Sequence, residues 1–146
     1  MKIGFFLLGM LPIVAFSQTS EEDWVKATVN QLFIGMKTSD SILIRKSFSK
    51  NAVLQTITKT GEVKNENIND FVLSISKAEK QSLDERIKFS NILIDGNLAS
   101  VWTPYEFYYK GQFSHCGVNS FQLVKSNNEW KIQYIIDTRR KDNCRK

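Results

Sequence analysis

Apolar residues recur at helical spacing in the first part of the chain after residue 19. Thr19-Ser20-Glu21-Glu22 supplies a capping box, the arrangement that satisfies free backbone N–H groups where a helix begins. The apolar positions of this helix are Val25, Val29, Leu32, Phe33 and Met36. Gly35 near its end, followed by Ser39 and Asp40, predicts a break and the N-cap of a short second helix. The second helix contains Ile42, Leu43 and Phe48.

A change of pattern follows this helical part. Residues 51–60 are rich in β-branched side chains and predict a strand that Gly61 closes. A third helix is predicted to begin near Asn67. Its apolar residues stand at i, i+3, i+4 and i+7, namely Ile68, Phe71, Val72 and Ile75.

The second half of the chain alternates as strands do. Four strands are predicted over residues 85–95, 98–109, 112–125 and 129–138. The segments between them are short and rich in Gly and Asn, so consecutive strands are expected to pair antiparallel. Helices followed by a long antiparallel meander predict an α+β fold, with three N-terminal helices packed on one face of a curved antiparallel sheet.

Turn geometry predicts which side chains share that inner face. A short turn around Ser126-Asn127 pairs Leu123 with Trp130 and therefore Asn119 with Tyr134, and a three-residue loop containing Gly111 pairs Tyr105 with His115. The apolar members of this face are Val101, Tyr105, Phe107, Phe121, Leu123, Trp130, Ile132 and Ile136. Asp137 falls on the outer face. One β-bulge would reverse the assignment beyond it.

Six hydrogen-bonding side chains interrupt the predicted inner face: Thr103, Tyr105, His115, Asn119, Tyr134 and Thr138. A buried polar group without a partner costs about 1–3 kcal/mol, so these groups need partners. They bond one another, enclose water, or bind a ligand in a cavity. Among them, His115 is the only histidine of the chain and can transfer a proton near neutral pH. A structural histidine bonded to Tyr105 or to the backbone is the alternative.

The first residues are predicted not to belong to the fold. Lys2 precedes an apolar run from Ile3 to Phe16, and Ala15 and Ser17 suit a signal-peptidase site before Gln18. A membrane anchor is the alternative, but the run is shorter than the ~20 residues that span a bilayer. The interpretation is a signal peptide over residues 1–17, a single domain over residues 18–146, and an exported, periplasmic or secreted protein.

Cleavage of the signal peptide changes the net charge of the protein, and export places its two cysteines in an oxidising compartment. The whole chain has 146 residues and a formal charge of +5, and without Lys2 the charge is 19 minus 15, or +4. An oxidising compartment favours a Cys116–Cys144 disulfide, and two unpaired thiols are the alternative.

One histidine and two distant cysteines do not supply a zinc-type ligand set, so no metal is expected. No nucleotide cofactor is expected either, because the chain has no P-loop or dinucleotide fingerprint.

The element order and several C-terminal segments resemble the nuclear transport factor 2-like superfamily, near its SnoaL-like and lumazine-binding branches. The segments that carry the resemblance lie at residues 101–108, 113–118, 121–123, 130–132 and 137–140. The resemblance implies a cone in which a curved sheet surrounds helices and a deep pocket. Enzymes of the superfamily place an acid or a histidine inside the cone, and here His115 and Tyr105 take that place. No inner carboxylate is predicted, which departs from an aspartate-based general base.

Three hypotheses for the function follow. The first is an exported protein that binds a small organic ligand through Thr103, Phe107, Asn119, Tyr134 and Thr138. The second is an acid–base enzyme of the dehydratase, isomerase or cyclase kind that uses His115 and Tyr105. The third is an interaction module with a collapsed pocket.

Outside the pocket, Trp102, Pro104 and Tyr108 form an aromatic strip that suits either a homodimer contact or a partly exposed edge. A basic tail that begins at Arg139 is interpreted as solvated, and no nucleic acid partner or stable membrane insertion after cleavage is expected.

Overall fold

The computed structural model describes residues 20–144, so the predicted signal peptide lies outside the described residues. Helix α1 spans Glu21–Thr38. Its capping box uses Ser20 and Asp23, one position later than predicted: Ser20 Oγ accepts from the Asp23 N–H and the Asp23 carboxylate accepts from the Ser20 N–H. The apolar stripe of α1 is buried as its spacing predicts.

Two shorter helices complete the helical layer. Helix α2 spans Ser41–Ser47 and is capped by Asp40, which accepts the N–H groups of residues 42 and 43. A Cβ at Gly35 would stand 2.7 Å from Ile44 Cγ1, so this glycine lets α2 lie close against α1. Helix α3 spans Ile68–Ser76 and begins next to Asn67, as predicted, and the Asn67 side chain caps it.

Seven strands form one curved sheet. They are β1 (Phe48–Ile57), β2 (Val63–Glu66), β3 (Leu83–Ile87), β4 (Asn91–Asp95), β5 (Leu98–Tyr109), β6 (Gln112–Ser126) and β7 (Glu129–Thr138). The order is β2-β1-β7-β6-β5-β3, and β4 also pairs with β5. Every pair is antiparallel except β1 with β7, which is parallel. The predicted α+β fold of three helices on a curved, largely antiparallel sheet is confirmed.

The strand predicted over residues 85–95 is divided in two. Strands β3 and β4 both run along β5, and residues 88–90 between them keep two bonds to it, from the Lys88 N–H to the Pro104 carbonyl and from the Ser90 N–H to the Trp102 carbonyl. Pro104 has no N–H to donate at this point, so regular pairing is interrupted there.

The predicted register of β7 is wrong because the turn lies one residue later than predicted and because β7 contains a β-bulge. Asn127 and Asn128 form a two-residue turn with φ of 52° and 61°, which pairs Ser126 with Glu129 and Leu123 with Ile132. The next pair is Gln122 with Tyr134, so Gln133 is an extra residue in β7.

The side chain of Gln133 is tied to β1. Its Oε1 accepts from Ser49 Oγ at 2.7 Å and its Nε2 donates to the Asn51 carbonyl at 3.1 Å. Beyond the bulge, Asn119 pairs with Asp137 rather than with Tyr134. The faces of β7 are therefore exchanged from residue 134 onward: Asp137 faces inward, whereas Tyr134, Ile136 and Thr138 do not.

The hairpin between β5 and β6 keeps its predicted faces. Its turn has two residues rather than three, and a bulge lies next to Phe107. Each of these moves the pairing by one position, so that Tyr105 pairs with Gly117 and Thr103 with Asn119. Because a shift of two positions does not exchange faces, the inward assignment of Tyr105 is confirmed.

A disulfide fixes the end of the chain. Cys116 and Cys144 are bonded, which confirms the predicted pairing. Cys116 also exchanges two backbone hydrogen bonds of 2.9 Å with Arg140, so the segment after β7 continues beside β6. Within residues 20–144, no helix has the length and apolar content needed to cross a membrane.

Candidate functional site

A cavity of about 310 Å³ lies between the helices and the inner face of the sheet. Its volume is at the lower end of the range of ~300–1,000 Å³ that is typical of ligand sites. Helix α1 contributes Leu32, Phe33 and Met36 to its wall, and α3 contributes Phe71 and Ile75. The sheet contributes further apolar side chains, which are Leu54, Leu83, Phe107, Phe121 and Ile135.

Glu85 of β3 is the first of two carboxylic acids on the sheet wall of this cavity. Asn119 Nδ2 donates to Glu85 Oε1 at 2.8 Å. Burial raises the pKa of Glu85 to about 7, and the nearby negative charge of Asp137 acts in the same direction, against the Asn119 hydrogen bond and the Arg139 charge. At neutral pH this side chain therefore exchanges between its protonated and ionised forms.

Asp137 of β7 is the second of these acids. It is buried, and its Oδ2 accepts from Arg139 Nε at 2.9 Å. Arg139 Nη2 donates in turn to Glu66 Oε1 at 3.0 Å, so one guanidinium joins two carboxylates at the cavity. Asp137 Oδ1 is buried and has no hydrogen-bond partner among the described residues.

Tyr105 lines the cavity beside Asp137. Its hydroxyl donates to the carbonyl of Thr138 at 2.9 Å and lies 3.4 Å from Asp137 Oδ2. Burial and the charges of Asp137 and Glu85 hold the pKa of Tyr105 far above its ordinary value. The hydroxyl therefore stays protonated at physiological pH and acts as a hydrogen-bond donor to the Thr138 carbonyl.

His115 lies on the other side of Phe107 from Glu85. Glu85, Phe107 and His115 are paired in one row across β3, β5 and β6. The His115 ring is 5.0 Å from the Phe107 ring, and its Nδ1 is 3.0 Å from Ser114 Oγ. Burial, with the positive charge of Arg139, lowers the pKa of His115, so the imidazole is neutral at pH 7.

The structure brings four of the predicted site residues together and separates three. Tyr105, Phe107, His115 and Asn119 line the cavity. Thr103 is fully buried next to Asn119, and its Oγ1 has no partner among the described residues, but it does not line the cavity.

The inward placement of Tyr134 and Thr138 is wrong, because the bulge at Gln133 turns them away. The Tyr134 hydroxyl donates to Gln55 Oε1 at 2.6 Å, and Thr138 Oγ1 accepts from the Val118 N–H at 3.2 Å. The two hydroxyls therefore form hydrogen bonds that link β7 to β1 and to β6.

Four charged residues of the cavity wall are not anticipated by sequence reasoning: Glu66, Glu85, Asp137 and Arg139. The alternation pattern predicts Asp137 on the outer face, and the run of basic residues predicts Arg139 in a solvated tail. The error for Asp137 comes from the bulge at Gln133, which carries no pattern in the sequence. The error for Arg139 comes from interpreting a run of basic residues as solvated. For Glu85 a signal exists, since it alternates with Leu83 and Ile87 on one face of the strand.

Comparison with known proteins identifies the family. The family model described as "Putative lumazine-binding" matches residues 20–134. This chain belongs to that family. The match ends before Asp137 and Arg139, so the charged pair lies outside the matched segment. No curated protein sequence matches the chain significantly.

Solved structures share the fold of this chain. An NTF2-like protein of unknown function from Shewanella baltica OS155 is 19% identical with a TM-score of 0.69, over 84% of this chain and 98% of that one. A "putative ketosteroid isomerase" from Shewanella frigidimarina NCIMB 400 is 20% identical with a TM-score of 0.60, over 78% and 94%. These likenesses show the shared cone fold.

The outer face of the sheet and the possible metal ligands also bear on the sequence-based predictions. On the outer face, Trp102 is 49% exposed, whereas Tyr108 is covered by the Arg86 guanidinium at 4.0 Å from its ring centroid. A homodimer through this strip stays a prediction. Within the described part of the chain, no group of three His, Cys, Asp or Glu side chains is arranged to hold a metal ion.

Proposed function

We propose that this exported protein binds a small organic molecule in the cavity inside the cone. The observation that carries the proposal is the division of the cavity into aromatic and aliphatic walls and a polar group formed by Glu85, Asn119 and Asp137. Ligand pockets combine a mostly apolar lining with a few placed polar groups in this way. The family description, which refers to ligand binding, supports the same conclusion.

Export is part of this proposal. The predicted signal peptide over residues 1–17 supports it, and so does the Cys116–Cys144 disulfide, because disulfides persist in oxidising compartments. Mass spectrometry of the protein recovered from its native host is expected to find a chain that begins at Gln18. A chain that retains residues 1–17 in the cytoplasm would contradict export.

Blocking the cavity tests the binding proposal. Ser74 is an exposed residue of α3 that lines the cavity, so Ser74→Phe places a ring across it without removing core packing. Ser76→Phe is the matched control, since Ser76 is exposed on the same helix and makes the same bond to the carbonyl three residues earlier. Small molecules that co-purify with the protein are identified by mass spectrometry. We expect them to be retained by Ser76→Phe and lost from Ser74→Phe. Equal retention by both variants would place binding elsewhere.

Acid–base catalysis in the same cavity is the second candidate function. The observation that favours it is the pKa of Glu85 at about 7, which suits a group that both accepts and donates a proton at neutral pH. We assign proton transfer to Glu85 rather than to Tyr105. The Tyr105 hydroxyl is hydrogen-bonded to the Thr138 carbonyl, and its raised pKa keeps it protonated. His115 is retained as a second proton carrier.

Hydrogen exchange tests the second candidate. The molecule recovered from the protein is incubated with it in heavy water, and exchange at carbon is followed by NMR. We expect exchange with the natural protein and with Ser76→Phe, and its loss in Glu85→Gln with binding preserved. His115→Ala then separates the roles: lost exchange with retained binding indicates proton transfer, whereas unfolding indicates a structural histidine. No exchange with the natural protein would leave binding without catalysis.

A further inference from the structure

The polar end of the cavity is rich in hydrogen-bond acceptors. Asn119 Nδ2 donates a hydrogen bond to Glu85, and the Tyr105 hydroxyl donates one to the Thr138 carbonyl. Arg139 directs two N–H groups at the carboxylates of Asp137 and Glu66. The chain thus uses four N–H and O–H groups of this end on its own acceptors.

Several acceptors at the same end remain without a donor. Asp137 Oδ1 is buried and unpartnered, and Glu85 Oε2 and Asn119 Oδ1 accept no side-chain or backbone hydrogen bond within residues 20–144. A carboxylate has about four acceptor positions and no donor when it is ionised. A molecule that enters this end therefore meets oxygen lone pairs.

The net charge of the cavity wall also disfavours an anionic, acceptor-type ligand. Its described lining contains three carboxylic acids, Glu66, Glu85 and Asp137, and one cationic side chain, Arg139. His115 is neutral at pH 7 because its pKa is lowered. The wall is therefore negative, and an anionic ligand would be repelled.

The opposite end of the cavity suits a ring system. Phe33, Phe71, Phe107 and Phe121 contribute aromatic surface from both helices and two strands. We propose that the ligand is a flat apolar ring system whose polar edge carries N–H donors, neutral or cationic, directed at Glu85, Asn119 and Asp137. This inference rests on the proposed binding function and specifies the ligand class of the same site.

A carbonyl or carboxylate ligand would instead need hydrogen-bond donors from the wall. Among the donors of the wall, the protonated Glu85 carboxyl is the one that is lost as the pH rises through about 7. The groups that face Glu85 are Asn119, Asp137, Arg139 and Tyr105. Because Glu85 ionises near pH 7, a donor ligand binds more tightly as the pH rises from 6 to 8, whereas an acceptor ligand binds more weakly.

Three probes of one shape test the ligand class. They are 2-naphthamidine, 2-naphthamide and 2-naphthoate, which share a ring and carry a cationic donor edge, a neutral mixed edge and an anionic acceptor edge. Binding to the purified disulfide-bonded protein is measured by calorimetry at pH 6 and pH 8, with Ser74→Phe to confirm that the probe occupies the cavity. We expect the amidine to bind most tightly and the carboxylate most weakly, by about tenfold or more between the two.

Glu85→Gln and Glu79→Gln form a matched pair for this experiment. Both remove one negative charge, but Glu79 is exposed and pairs with Lys110 at the surface. We expect Glu85→Gln to weaken amidine binding by about tenfold and to abolish its increase between pH 6 and pH 8. Glu79→Gln is expected to change neither.

The outcomes separate this inference from the proposed function. If naphthoate binds more tightly than the amidine, and Ser74→Phe blocks it, the cavity binds ligands and the donor class is wrong. If the three probes bind equally, the polar end does not select and the inference also fails. If none of them binds, and Ser74→Phe retains the same co-purifying molecules as Ser76→Phe, the proposed function fails with it.

Discussion

Replacing Glu85 by glutamine is expected to stabilise the protein, and to do so only above the pH at which glutamate ionises. Glutamine has nearly the same shape and keeps an Oε1 that accepts from Asn119 Nδ2, so the hydrogen bond of 2.8 Å is preserved. What the substitution removes is the negative charge beside Asp137 in a poorly solvated position. The effect therefore reports the cost of holding that charge in the fold.

The magnitude follows from the change in pKa. Folding raises the pKa of Glu85 from 4.5 to about 7, so between these pH values the folded state binds more protons than the unfolded state. Stability then falls as the pH rises through this range, and each pKa unit corresponds to about 1.4 kcal/mol. The cost is under about 1 kcal/mol at pH 5 and about 3 kcal/mol at pH 8, the latter being an upper value because the side chain is partly exposed.

The assay is urea unfolding of the natural protein and of Glu85→Gln at pH 5 and pH 8. The difference between their free energies of unfolding is expected to grow by about 2–3 kcal/mol in favour of the variant. The lowered pKa of His115 gives the opposite pH dependence in both proteins and largely cancels in the difference. Glu79→Gln, which removes an exposed carboxylate, is expected to show no such growth. A difference that is constant from pH 5 to pH 8 would refute the assignment of a half-buried, weakly acidic Glu85.

Two further predictions concern the packing around β6. A Cβ at Gly117 would overlap the carbonyl oxygen of Thr138 and stand 2.8 Å from Tyr105 Cε1, so Gly117→Ala is expected to lower the free energy of unfolding by about 3 kcal/mol. Gly96→Ala, in an open turn with a φ of 56°, is expected to cost about 1 kcal/mol in the same urea assay, and equal costs would contradict the overlap. Replacing Cys116 and Cys144 together by serine is expected to lower it by about 3–4 kcal/mol, since the bridge closes a separation of 28 residues. If reduction of the natural protein leaves its urea midpoint unchanged, the bridge does not contribute.

The architecture was predictable because its signals are local. The Asp40 side chain accepts the first free N–H groups of α2 and acts as the predicted cap. Helix α3 begins near Asn67 as predicted, and Asn67 caps it in the same way. The Asn127-Asn128 turn is equally local, but it lies one residue later than the predicted Ser126-Asn127 turn, which moves the strand pairing by two positions. Periodicity then identified the buried face of α1 and of β5.

The site was less predictable because its members meet through long-range geometry. Tyr105, Phe107, His115 and Asn119 were found because β5 and β6 form one hairpin, in which an error of two positions does not exchange faces. Asp137 was missed because the bulge that turns it inward is held by contacts with β1, through Ser49 and a backbone carbonyl, which are remote in sequence.

The bulge at Gln133 decides the chemical character of the cavity. Without it, the inner face of β7 would present the hydroxyls of Tyr134 and Thr138, which are neutral and can donate or accept hydrogen bonds. With it, that face presents Ile135 and Asp137, and Arg139 joins Asp137 to Glu66. The negative charge of Asp137 in turn helps to keep the pKa of Glu85 near 7. One inserted residue thus converts a wall of versatile hydroxyls into an acidic, acceptor-rich one, and this is why the preference for donor ligands and the pH dependence of Glu85 have a common structural cause.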